Sequence, residues 1–189
     1  MNSFMTALPN ELMLVRQAIV EPAAFAASYD HYFLRIYNYV RYRVHYAPTA
    51  DDLTADIFER VLKKISKYRA ERAPFGAWVF AIARHAVSDH LRRQNRRQVV
   101  SLDAILRRPS PLPEPEAVAS VNDAKNQLLA ALQELNDRER DLIALKFTSG
   151  LTNRRIADMT NLSESNVGVI LYRAMQKLKA LVDPQGDGK

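Results

Sequence analysis

At 189 residues and 48% hydrophobic side chains the chain is long enough for one or two small soluble domains, and with no cysteine it excludes disulfides, thiolate zinc sites and cysteine nucleophiles. A net charge of +6 and a pI near 9.6 favour a polyanionic partner such as nucleic acid over an acidic small molecule. No apolar run approaches the ~20 residues of a membrane span, and the start MNSFMTALPNE lacks a basic leader or an apolar signal core, so the expected location is cytoplasmic, without membrane insertion.

In chain order, Asn10 is placed to cap a short helix over Glu11 to Val20, and Pro22 suits the first position of a long one reaching about Tyr46. Phe25, Tyr29, Phe33, Ile36, Val40 and Val44 form its stripe, and aromatics at helical spacing read as core. Pro48 is expected to break that helix. Thr49 with Asp52 three residues on has the form of a capping box, opening a helix of about 18 residues with Leu53, Ile57, Val61 and Ile65 buried. Its charges run from Asp51, Asp52, Asp56 and Glu59 to Lys63, Lys64 and Lys67. Two explanations stand for that order: the helix macrodipole, or a docking face for a basic partner.

Arg69 to Pro74 is a short break. PFGAWVFAIARHAVSDHLRRQNRR then reads as one helix with Phe75, Trp78 or Val79, Ile82, Ala86 and Leu91 inward. Arg84, Arg92, Arg93, Arg96 and Arg97 point mostly outward. Guanidinium groups beside aromatic rings suit single-stranded nucleic acid, where rings stack bases and cations track phosphate. Trp78 by itself reads as core.

Val99 to Asp123 is a linker, with four prolines between Pro109 and Pro115 and little apolar periodicity. Basic and acidic residues number 15 and 9 before it, 2 and 4 within it, and 10 and 8 after it, so two basic modules flank an acidic tether. Fully stretched it would reach roughly 80 to 90 Å; relaxed, only about 25 to 30 Å.

The second module begins with KNQLLAALQEL, followed by a capping box of Asn136 and Glu139 that opens a helix from Asp137 to Thr148, ended by Gly150. Leu151 to Leu178 then has the form of a helix-turn-helix. Thr152 caps a first short helix whose apolar side is Ile156, Ala157 and Met159, Asn161 suits the left-handed residue after it, and Leu162 plugs the turn. Ser163 caps the last helix, which buries Val167, Ile170 or Leu171, Ala174, Leu178 and Leu181. Its other face carries Glu164, Ser165, Gly168, Tyr172, Arg173, Gln176 and Lys177, either as a recognition helix for a major groove or as an ordinary surface helix.

Nothing here reads as an enzyme. His85 and Asp89 share a helix face, but His90 lies about 140° away and no further ligand is evident, so neither a metal nor a cofactor is expected. Glycine-rich phosphate loops and nucleophile motifs are missing.

These residues together resemble an extracytoplasmic-function type sigma factor of bacterial RNA polymerase, in the sigma-70 family. Region 2 of that family is recognisable in FAASYDHYFLRIYNYV, ADDLTADIFERVL and FGAWVFAIARHAVSDHLRR. Region 4 is recognisable in LQELNDRERDLIALKFTSGLTNRRIADMTNLSESNVGVILYRAMQKL. The resemblance implies an all-α fold of two small helical domains joined by the proline-rich linker, at residues 10–98 and 124–183, with the linker at 99–123. It implies that Asp51, Asp52, Asp56 and Phe58 dock the clamp of the largest subunit of core RNA polymerase. Arg69, Arg72, Phe75, Trp78, Arg84, His85, Arg92, Arg93 and Arg96 would bind and melt the −10 element, holding an extruded base. Arg154, Ser163, Glu164, Ser165, Asn166, Gly168, Tyr172 and Arg173 would read duplex at the −35 element. It also leaves room for an anti-sigma factor that holds the two modules closed. The family commonly has Gln at Ala55, Asn at His85, Pro at Asn136, Glu at Arg155, and Thr-Val-Lys at Asn166, Val167 and Gly168, so the departures gather at DNA-reading positions. Two further readings remain: a free-standing helix-turn-helix regulator that binds duplex unaided, and a helical adaptor without DNA contact.

Overall fold

The computed structural model describes residues 8–44, 46–100 and 119–182, with the side chains of 97–100 and 119–122 left aside. The segment expected as the body of the linker therefore lies outside the described residues. Among those described, the chain forms eight α-helices and no strand: α1 (Glu11–Val20), α2 (Ala26–Arg43), α3 (Ala47–Lys64), α4 (Phe75–Val100), α5 (Ala119–Gln133), α6 (Asp137–Ser149), α7 (Asn153–Thr160) and α8 (Glu164–Val182).

The N-terminal module packs α1, α2, α3 and α4 around Ile36, Tyr39, Val40, Ile57, Val61, Phe75, Val79, Phe80 and Val87, all essentially closed to solvent. Each such side chain contributes about 1.5–3 kcal/mol by leaving water. Its helix ends differ from those expected. Asn10 takes a left-handed backbone (φ 57°) and makes no side-chain cap. A 3₁₀ turn, Pro22–Phe25, precedes α2, which stops at Arg43 rather than near Tyr46. Pro48 does not break a helix. It sits in the first turn of α3, where proline loses no hydrogen bond, so α3 starts before Thr49 and the expected Thr49–Asp52 capping box does not form.

The stripe of α2 is also turned from the expected one. Successive four-residue steps drift by about 40° around a helix, so Tyr29 and Phe33 fall on the rim, at 37% and 38% exposed, while Tyr32 and Tyr39 are buried instead. Tyr29 still meets Phe58 of α3, with ring centroids 4.6 Å apart. Gly76, in the first turn of α4, lets that helix close on α2, since a Cβ there would lie 2.8 Å from the Tyr32 hydroxyl oxygen.

In the C-terminal module nearly every expected helix end is present. The linker ends earlier than expected, because α5 already begins at Ala119. Asn136 and Glu139 form both halves of the capping box, and Gly150 ends α6 at φ 68°, a conformation glycine adopts at no steric cost. Thr152 accepts from the Arg155 N–H, and Asn161 closes α7 at φ 54°. Ser163 Oγ accepts from the Asn166 N–H at the start of α8. Val167, Leu171, Ala174 and Leu178 face the core, but Leu181 lies 48% exposed near the end of the helix, beyond the helices that cover the stripe.

The two modules touch. Helix α6 lies over α2 and α4, and its Asp141, 7% exposed, accepts from Tyr39 Oη at 2.8 Å and from Arg84 Nε at 2.8 Å. Arg43 stands 3.5 Å away as an ion pair and donates to the Asp137 carbonyl.

Candidate nucleic-acid interface

The acidic row of α3 stands free of any capping duty. Asp51 and Asp52 are exposed, and Asp56 is half-buried in an ion pair with Arg60 at 2.6 Å. The first turn of α3 holds no acidic residue, because the helix begins at Ala47. Attraction to the positive end of a helix fades beyond that turn, so the macrodipole explains little of this row. Phe58, expected beside it, is only 5% exposed, within 6.3 Å of the Phe25 and Phe33 ring centroids. Packed there, it lies beneath the acidic row with its ring turned to the core.

The loop before α4 and the helix itself carry the second set. Arg69 and Arg72 are exposed, with Arg69 folded back to donate to the Ser66 and Tyr68 carbonyls. Tyr68 donates to the Ala73 carbonyl and fastens the loop. Phe75 is 1% exposed and cannot stack a base; it is the floor on which Trp78 rests, ring centroids 5.6 Å apart. Trp78 is half-buried, intermediate between core and surface, with one side against Phe75 and Tyr68. His85, two turns on, is exposed rather than packed against a neighbouring helix, and so are Arg92, Arg93 and Arg96. Arg92 pairs with Asp89, which takes that carboxylate out of any cluster with His85. Among the described residues no group of three metal-ligating side chains occurs. Where Arg69 and Arg92 bond within their own module, Arg84 reaches the other one, donating to Asp141 of α6 and to the Met159 carbonyl of α7.

The helix-turn-helix presents the third set on one side. Arg154, Ser163, Glu164, Ser165, Asn166, Tyr172 and Arg173 are all exposed, and Gly168 lies half-covered among them. Ser163 is occupied by its cap. A Cβ at Gly168 would come no closer than 3.8 Å to Asn153 Nδ2, so nothing within the chain requires glycine there. Lys177, expected on the free face, is instead bonded to Glu139 at 2.6 Å. Burial pushes the Glu139 carboxyl up, but the Lys177 ammonium and the Asn136 N–H outweigh it and hold the group below the usual range. That bond ties α8 to the capping box of α6. Lys146, bonded to Asn153, ties α6 to α7 in the same way.

Two features escaped the sequence reading. Val169, 44% exposed, interrupts the polar face of α8 about one turn before Tyr172, an apolar side chain off the register of Val167, Leu171, Ala174 and Leu178. The seam at Asp141 had no local signal at all, since Tyr39 is 102 positions away in the chain.

The family model for Sigma-70 region 2 matches residues 29–97, and that for Sigma-70, region 4, matches residues 125–178. The ECF RNA polymerase sigma factor BldN of Streptomyces coelicolor is 32% identical over 164 residues, covering 86% of this chain and 61% of its own length. The ECF RNA polymerase sigma factor ShbA of Streptomyces griseus is 31% identical over 136 residues, covering 70% of this chain and 71% of its own. The solved structure of the sigma factor RpoE of Bartonella quintana, bound to the anti-sigma factor NepR, shares the fold at 18% identity with a TM-score of 0.68, covering 85% of this chain and 98% of that one. No described helix is long and apolar enough to cross a membrane. The chain belongs to the ECF sigma factors, a family of RNA polymerase sigma factors built from sigma-70 regions 2 and 4.

Proposed function

We propose that this chain directs core RNA polymerase to specific promoters, with a docking and melting module at 10–98 and a duplex-reading module at 124–183. The observation that carries this is the coexistence of three separate surfaces: an uncapped acidic row, a basic and aromatic helix, and an exposed recognition face. A regulator that binds duplex alone needs only the last. Asp51, Asp52 and Asp56 dock the clamp of the largest subunit, with Phe58 holding their helix in place. Trp78, His85, Arg92, Arg93 and Arg96 meet the melted −10 strand, Arg69 and Arg72 its phosphates, and Phe75 sets the pitch of the tryptophan ring. Arg154, Glu164, Ser165, Asn166, Tyr172 and Arg173 read the −35 duplex, with Ser163 and Gly168 shaping the approach.

The chain acts in the cytoplasm and carries no catalysis of its own; polymerase performs the chemistry. An anti-sigma protein is a further partner, a reading supported by the solved relative that was captured with one. Run-off transcription with purified core polymerase on random promoter fragments tests the proposal. Discrete transcripts that depend on the added chain are expected. Duplex binding at full strength without core, and no core-dependent transcripts, would establish the free-standing regulator instead.

A further inference from the structure

The outward crest of α8 carries an apolar residue that the core does not use. At about 100° per residue around a helix, the buried stripe of Val167, Leu171, Ala174 and Leu178 points one way and Val169 points almost directly opposite. Around it stand Ser165 one turn earlier, Tyr172 and Arg173 one turn later, and Gln176, all exposed. Helix formation does not ask for valine there. A β-branched side chain loses χ1 freedom in a helix, and Ala, Gln, Lys or Arg would form the helix better at an open position. What valine supplies is a pair of methyl groups held in one rotamer, at the centre of a face otherwise made of hydrogen-bonding groups and one aromatic ring.

We propose that Val169 is a specificity residue of this face, whose methyl groups pack against the C5-methyl of a thymine in the −35 duplex, so that one T·A pair is selected by apolar contact. The inference rests on the reading of α8 as the helix that enters the major groove.

The chemistry of the groove supports it first. Thymine alone offers a methyl group there, whereas the other base edges present donors or acceptors. A polar edge set against Val169 would lose water and gain no hydrogen bond, so the same side chain attracts one pair and disfavours others. Reach supports it next. Valine is short and touches a base only if the helix seats deeply, and its neighbours toward α7 and the helix start are Gly168 and Ser165, both small. A Cβ at Gly168 would meet nothing nearer than Asn153 Nδ2 at 3.8 Å, so the chain leaves that flank open. Tyr172 completes the arrangement. At 66% exposed and three residues on, its ring is placed to cover the outer side of the same methyl group and keep water from it.

The test uses the full chain assembled with core polymerase, on promoters recovered by run-off transcription from random fragments. Replacing each thymine of the −35 segment in turn by deoxyuridine removes only its methyl group. One thymine should prove sensitive, its replacement weakening holoenzyme binding about fourfold, the effect of one buried methyl group. Val169→Ala should weaken binding to the thymine duplex by a similar factor and be indifferent to deoxyuridine, because each change removes the same contact. 5-Methylcytosine at that position should bind the unaltered holoenzyme better than cytosine does, a preference that Val169→Ala should lose. Alanine is the better helix former, so circular dichroism should be unchanged. Promoters with no preferred T·A pair in the −35 segment, deoxyuridines that are all neutral while scrambling the segment still abolishes binding, or a sensitivity that survives in Val169→Ala would each overturn the proposal. Failure of the underlying reading shows differently: scrambling the whole −35 segment would then leave holoenzyme binding unchanged, and this inference would fall with it.

Discussion

The two modules hold their helices in different ways. In the C-terminal module the ends are written in single residues: Asn136 with Glu139, Gly150, Thr152, Asn161 and Ser163 each satisfy or terminate a helix where they stand. In the N-terminal module α1, α2 and α3 have no side-chain hydrogen bond at their N-caps. Their ends are decided by prolines in first turns and by how the helices pack. A module read through local hydrogen bonds should be sensitive to small polar changes. One held by packing should tolerate polar changes on its surface and fail when its core is disturbed.

The largest effect expected is one of binding. Replacing Asp52 and Asp56 by Lys should weaken capture of core polymerase by several kcal/mol, as like charges meet at the interface. Because neither residue caps α3, circular dichroism should barely change; loss of helix would mean that the acidic row holds the fold after all. Disturbing the packing of the same module should do the opposite. Gly76→Ala drives a methyl group into Tyr32, whose hydroxyl is bonded to Glu11, and should cost about 1–3 kcal/mol of stability in urea melts.

In the other module a polar change should suffice. Asn136→Ala removes the side chain that accepts the Glu139 N–H and should cost about 1 kcal/mol. Its Glu139 partner adds a pH dependence of known sign. The folded carboxyl is held below its ordinary value, so its stabilisation is complete above about pH 4.3 and is lost as pH falls through the lower folded value. Glu139→Gln should flatten the melting temperature of the C-terminal module across that range, while melting of the N-terminal module is unaffected.

The smallest effect separates two roles for Gly168. The chain itself leaves room there, so Gly168→Lys should fold normally. If a phosphate contact is restored, duplex binding should tighten and its salt slope should steepen by about 0.9. If DNA comes close to the bare backbone, binding should be lost, which salt titration of duplex binding will show directly.

Legibility followed the same division. The helix-turn-helix was readable because its signals are contiguous: a cap, an αL residue and a second cap within a dozen positions. The start of α3 was misread because Pro48 carries two meanings, helix breaker and first-turn residue, and only the path of the chain chooses between them. Phe58 and Phe75 were placed among the contacting residues because the resemblance marks the segment, whereas burial separates the residue that touches from the residue beneath it. Lys177 looked free because Glu139, its partner, lies 38 positions earlier.

What the sequence by itself determined was the all-helical class, regions 2 and 4, the caps of the C-terminal module and the exposed polar face of its last helix. These depend on periodicity and on hydrogen bonds between near neighbours, and both act over a few residues. Tertiary structure alone decided which aromatic rings are exposed, that the acidic row is free of capping, and that Arg84 turns away from its neighbours on α4 toward Asp141. Charge and burial are properties of what surrounds a side chain, and at Asp141 those surroundings come from residues 57 to 102 positions away, brought together only by the packing of α6 on α2 and α4.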